Sequence, residues 1–141
     1  MRHVEETEGL ERRIGVLIAD DCPHSRDGLH ALLDLWPAIE VIGEAASGYE
    51  AVQMVKARRP NAIVMDVQMP GLSGLRAAEI IKREWPEVRV VVLTSGAGYR
   101  TAALAAGADA FLLKGCSTED LVQELLGCGP DDQPISPRLA I

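Results

Sequence analysis

Five short apolar runs alternating with longer helix-patterned segments constrain this chain more than any other feature. The runs are residues 14–19 (IGVLIA), 40–45 (EVIGEA), 62–65 (AIVM), 88–93 (VRVVVL) and 110–113 (AFLL). Runs this short, rich in β-branched residues and bounded by turn residues, predict strands of a buried sheet. Between and after them, residues 23–35, 48–59, 73–85, 99–106 and 117–126 predict helices. Trp36-Pro37, Arg59-Pro60-Asn61, Pro86 and Gly107 supply the stops, and Ser73 and Ser117 stand at N-cap positions, the latter with Asp120 three residues on. Five β-α units with short connections predict an α/β domain: a doubly wound, five-stranded parallel sheet with helices on both faces, because right-handed crossovers leave few other arrangements.

A chain of 141 residues, 48% of them hydrophobic, has the material for one core and one domain. The reading is a polar N-terminal leader at 1–13, the domain at 14–127, and a C-terminal tail or linker at 128–141. The formal charge of −7 argues against a general affinity for nucleic acid or anionic membranes, which calls for a basic surface. No apolar stretch approaches the roughly 20 residues that span a bilayer, and the charged leader lacks the apolar centre of a signal peptide. Cys22, Cys116 and Cys128 are widely separated and without metal-ligand spacing, so they read as reduced thiols, and a cytoplasmic location is expected. His24 and His30 read as solvated helix residues with no zinc spacing.

In sheets of this kind ligands bind beyond the carboxyl ends of the strands, where strand order reverses. Those ends carry Asp20 and Asp21 after the first strand, Asp66 after the third, Thr94 after the fourth and Lys114 after the fifth. Asp20 or Asp21 alone would read as a helix N-cap, and Thr94 alone as an ordinary strand residue. Together they suit different chemistry. Crowded carboxylates repel one another unless a cation intervenes, and an all-oxygen donor set favours a hard ion, Mg²⁺ rather than Zn²⁺. Lys114 and Thr94 add a point charge and a hydroxyl donor, the makings of an electrostatic clamp on a transferring phosphoryl group. Asp66, alone at the centre of the edge before the turn-rich VQMPG segment, is the candidate carboxylate nucleophile.

These residues resemble the receiver domain of response regulators, particularly receivers that precede a LuxR/NarL-type DNA-binding domain. The resemblance rests on IADDCPHSRDGL, VMDVQMPGLSGL, VVLTS and GADAFLLKG, and extends over nearly all of residues 14–126. None of these motifs is specific alone; in this order, at strand ends, they are. The resemblance implies the flavodoxin-like (CheY-like) strand order 2-1-3-4-5. It implies Asp66 as phosphoacceptor, Asp20 and Asp21 as Mg²⁺ acids with the backbone carbonyl of Gln68 completing the metal site, and Thr94 and Lys114 as phosphoryl contacts. Phe111 would be the aromatic whose rotamer reports activation. The implied partners are a sensor histidine kinase and, on phosphorylation, a second copy of the chain; DNA is expected only through a separate C-terminal domain not in this chain, and ISPRLA in the tail resembles the linker leading to it. Two departures stand out: the segment from Thr94 to Gly107 is shorter than usual, and Gly115 stands where Pro is common after the lysine.

Other functions fit less well. A stand-alone receiver acting through protein contacts shares every one of these residues. A flavodoxin-like cofactor carrier needs a phosphate-cradling loop after the first strand, and here that loop is acidic. A Mg²⁺-dependent phosphatase would need a further acid or base, and neither a P-loop nor a G-x-G-x-x-G fingerprint is present. The reading is therefore a phosphoacceptor switch with slow self-dephosphorylation, not a turnover enzyme.

Overall fold

The computed structural model describes residues 13–127. Residues 1–12 of the leader, Cys128 and the 128–141 tail with ISPRLA lie outside them. The strands are β1 (Ile14–Ala19), β2 (Ile39–Ala45), β3 (Ala62–Met65), β4 (Arg89–Thr94) and β5 (Ala110–Leu113). The helices are α1 (Pro23–Leu33), α2 (Gly48–Arg58), α3 (Gly74–Glu84), α4 (Arg100–Ala105) and α5 (Thr118–Leu126). The sheet is parallel throughout, as expected for the doubly wound class, and its order β2-β1-β3-β4-β5 is the one the resemblance implies.

Alternation along each strand divides the core into two layers, as the period of two requires. Leu17, Ile63, Met65, Val90 and Val92 pack on the side of α2, α3 and α4, against Val55, Ala77, Ile81 and Ala103. Val16, Ile18, Val64, Val91 and Leu93 pack on the other side, against Leu33 of α1 and Leu121, Val122 and Leu125 of α5. Ser73 and Ser117 cap as the sequence predicts, their hydroxyls accepting from the amides of Arg76 and Asp120, and Ser47 adds a third such cap, accepting from Glu50.

Most element boundaries shift by a residue or two from the expected ones, and three of the shifts have a visible cause. α1 ends at Leu33 rather than residue 35, because Trp36 is buried and its amide turns back to the Leu33 carbonyl at 3.0 Å. β2 starts at Ile39, whose buried side chain pairs opposite Ile14. α4 is only six residues long and follows a 3₁₀ turn at Ala97–Tyr99, so the short β4–β5 connection is reflected in a short fourth helix.

β2 also carries one residue more than its partner. Val16 pairs with Val41 and Leu17 with Gly43, leaving Ile42 as a bulge whose carbonyl accepts the Arg58 guanidinium. Gly15, whose register partner is Glu40, leaves room for the Ile42 side chain, since a Cβ there would lie 3.1 Å from Ile42 Cδ1.

The layered core makes a direct prediction. Ile81→Ala, at a fully buried position beneath the sheet, is expected to cost about 2–5 kcal/mol. Leu104→Ala, on the exposed face of α4, is expected to stay within about 0.5 kcal/mol. Urea unfolding of both variants measures the contrast.

Candidate functional site

Parallel register brings the acidic strand ends together. Ala19 pairs with Met65, so Asp20 and Asp66 leave β1 and β3 side by side, and the Asp66 amide donates to the Ala19 carbonyl at 2.9 Å. Each carboxylate is nearly buried and takes one bond from a backbone amide. Asp20 Oδ1 accepts from Cys22 at 2.9 Å, and Asp66 Oδ1 from Val67 at 2.7 Å. Their other oxygens share one cation: Lys114 Nζ lies 2.9 Å from Asp20 Oδ2 and 2.9 Å from Asp66 Oδ2. Ser25 Oγ lies 3.5 Å from the same nitrogen.

Burial pulls the pKa of Lys114 down, but its hydrogen bonds and charge interactions with Asp20 and Asp66 outweigh burial, and the net shift is upward from 10.5. Lys114 is held from behind as well. Its amide donates to the carbonyl of Thr94 at 2.9 Å, which seats the lysine beside the buried end of β4. Gly115, next in the chain, has φ 102°, a region closed to proline, whose ring fixes φ near −65°. The replacement of the usual proline thus accompanies a different backbone path after the lysine.

Asp21 is exposed, and its carboxylate closes the acidic set: oxygens of Asp20, Asp21 and Asp66 all lie within 4.8 Å of one another. An all-oxygen, partly open set of this kind fits a hard divalent cation. Gln68 is exposed on the β3–α3 loop, and its side-chain amide donates to Tyr99 Oη at 3.0 Å, tying that loop to the turn before α4. Asp21, Gln68, Pro70 and Tyr99 line an open cleft there. Thr94 is buried at the end of β4. Phe111 is buried in the core layer beneath α2, α3 and α4, with the Arg100 guanidinium 5.9 Å from its ring centroid. Five of the seven predicted residues, Asp20, Asp21, Asp66, Thr94 and Lys114, thus meet at one edge. Gln68 flanks it, and Phe111 lies below in the core.

Three further residues shape the site without having been assigned to it from the sequence. Gly74, at the start of α3, is pressed against the acceptor segment: a Cβ there would sit 1.7 Å from the Asp66 carbonyl oxygen. Its place directly after the Ser73 N-cap was the available signal. Arg26 donates to the Asp20 carbonyl at 2.6 Å and pairs with Glu44. His30, expected to be solvated, instead bonds Glu44 through Nδ1 at 2.6 Å. Cys22 and Cys116 are free thiols, and burial followed by the nearby Asp120 pushes the Cys116 pKa up, away from reactivity.

The response regulator receiver domain family matches residues 16–126. Response regulator GacA of Pseudomonas aeruginosa is 32% identical over 129 residues, which make up 90% of this chain and 60% of that protein. Transcriptional regulatory protein DesR of Bacillus subtilis is 35% identical over 112 residues, 79% of this chain and 56% of DesR. Among solved structures, the signal receiver domain of the response regulator NarL from Mycobacterium tuberculosis is similar with a TM-score of 0.77 at 30% identity, over 83% of this chain and 96% of that one. The chain thus spans little more than half the length of the curated relatives it matches. No helix among the described residues is long and apolar enough to cross a membrane.

Two predictions follow from the packing and charge of the edge. Gly74→Ala is expected to destabilise the domain by about 3 kcal/mol, because backbone rather than a flexible side chain must yield; urea unfolding reads it. Lys114, with a folded-state pKa above its unfolded one, contributes stability that is complete below pH 10.5 and is lost as pH rises through the folded value. The stability gap between the wild type and Lys114→Met should therefore narrow above pH 10.5, in unfolding curves taken from neutral to alkaline pH.

Proposed function

The chain belongs to the response regulator receiver family, and from that premise we propose that Asp66 accepts a phosphoryl group from a sensor histidine kinase and that this switches the domain between two packings. The observation that carries the proposal is the single cation, Lys114 Nζ, shared at 2.9 Å by Asp66 and Asp20 at the carboxyl edge of the sheet. Such an edge suits an acceptor better than a hydrolase, because the Asp66 carboxylate stands with charge held around it by Lys114 and Asp20.

Asp20, Asp21 and Asp66, with the carbonyl of Gln68, would hold Mg²⁺, which when bound offsets the negative charge of the phosphoryl oxygens. An oxygen of Asp66 attacks phosphorus as the bond to the kinase imidazole breaks, leaving an acyl phosphate on Asp66 and a neutral imidazole after protonation. Lys114 exchanges its contact with Asp66 for one with a phosphoryl oxygen while keeping Asp20. The Thr94 hydroxyl donates to another oxygen. Thr94 and Phe111 then transmit occupancy to α4 and β5, the phosphoryl group binding one of two packings preferentially.

The output in this reading is transcription, through a separate C-terminal DNA-binding domain, with association into a homodimer on phosphorylation. Similarity to a transcriptional regulatory protein supports this, and the formal charge of −7 argues against DNA contact by this chain itself.

Acetyl phosphate with Mg²⁺ should add one base-labile phosphoryl group, seen by intact mass, and Asp66→Asn should abolish it. Labelling that persists in Asp66→Asn would place the nucleophile elsewhere. Beryllofluoride with Mg²⁺ should raise the dimer fraction in sedimentation, and Thr94→Ala should bind the mimic without that response.

A further inference from the structure

We infer that Arg26 is a positioning residue for the metal acids, clamping the turn that carries Asp20 and Asp21 through its backbone rather than through charge; the inference rests on reading those residues as Mg²⁺ ligands. Both backbone groups of Asp20 are tied to β2. Its amide donates directly to the carbonyl of Ala45 at 3.0 Å. Its carbonyl accepts Arg26 at 2.6 Å, and the same guanidinium reaches Glu44 Oε1 at 3.3 Å. Glu44 and Ala45 are consecutive, so the turn is fastened to two adjacent residues of the neighbouring strand, once directly and once through Arg26.

Glu44 is itself fixed. His30 Nδ1 lies 2.6 Å from its second oxygen, and this hydrogen bond lowers the Glu44 pKa; partial burial opposes the fall and Arg26 adds to it, leaving the net shift below 4.5. Glu44 thus stays ionised as the anchor of the clamp. A bridge serving only to dock α1 on β2 would need the Arg26–Glu44 pair alone; the added bond to the Asp20 carbonyl is what ties it to the acidic edge. The need is physical. Three carboxylates within 4.8 Å repel one another, and the exposed Asp21 has the most freedom to splay. Because Glu44 offsets its charge, Arg26 restrains the turn without adding a net positive charge to repel an incoming cation. Serving a carbonyl and a carboxylate at once also suits a planar fork of donors and not the point charge of lysine.

The two ways Arg26 could act on metal binding have opposite signs. If only its charge mattered, Arg26→Met would tighten Mg²⁺ binding by removing a nearby positive charge. Positioning predicts the reverse: about tenfold weaker binding, the usual scale for residues that orient metal ligands. The experiment is a Mg²⁺ titration of the full chain, followed by the amide signals of Asp20 and Asp66 in isotope-labelled protein, with thermal melts alongside. Arg26→Lys, which keeps the charge, should bind Mg²⁺ more weakly than the wild type and more tightly than Arg26→Met. The double variant Arg26→Met/Glu44→Gln should be no weaker than Arg26→Met, because both act through one clamp. Unchanged or tighter Mg²⁺ binding in folded Arg26→Met overturns the inference; should that variant fail to fold, wild-type affinity in Arg26→Lys overturns it equally. A wild type that binds no Mg²⁺ fails at an earlier point, overturning the metal reading itself and with it the role of Arg26.

Discussion

The pairing of β1 with β3 forces two carboxylates into contact, and much of the edge architecture answers that constraint. Once Ala19 lies opposite Met65, Asp20 and Asp66 must leave the sheet as neighbours. Their repulsion is met by Lys114 from the far end of the sheet, two strands beyond β3, so the ion pair closes only when β4 and β5 are in place. A single contact spanning 94 residues of sequence thus depends on the whole strand order. The backbone bond from Lys114 to Thr94 carries the same dependence into the last pair of strands.

Around that contact the restraints are mostly main-chain ones. Val67 and Cys22 give their amides to the two carboxylates, Gly74 yields space to the Asp66 carbonyl, and Arg26 and Ala45 take up the backbone of Asp20. Fixing the peptide units sets where the two carboxylates point, so that their remaining oxygens meet at Lys114, and aiming those oxygens is what a preorganised site requires. Lys114 then holds a resting arrangement in which the cluster of three carboxylates already has one ammonium within it.

The sheet and the acidic edge were legible because both follow from local rules. Buried strands announce themselves as short β-branched runs, and the position of a residue at a strand end places it at the ligand edge without knowledge of any contact. Asp20, Asp66 and Lys114 were found in this way. The rest depends on geometry that spacing does not encode. His30 looked like a surface helix residue because nothing in α1 reveals that Glu44 of β2 lies across from it. Gly74 was not singled out, since its constraint is a carbonyl on another segment. The end of α1 was misplaced by two residues because burying Trp36 overrode helix-forming pattern.

The six-residue α4 has a kinetic and energetic meaning of its own. Helix formation repays its nucleation cost only as turns accumulate, and a segment this short closes few i to i−4 bonds. Ala103 is its one buried residue, with Tyr99 anchored just ahead of it by Gln68. Such a segment opens at a free energy well below that of global unfolding, forming a separate cooperative unit at the low end of the stability range. Amide protons of residues 100–106 are therefore expected to exchange through local fluctuations, and those of β1 and β3 only as the whole sheet comes apart. A ligand that favoured one arrangement of such a unit would need to supply only a small differential free energy to redistribute it.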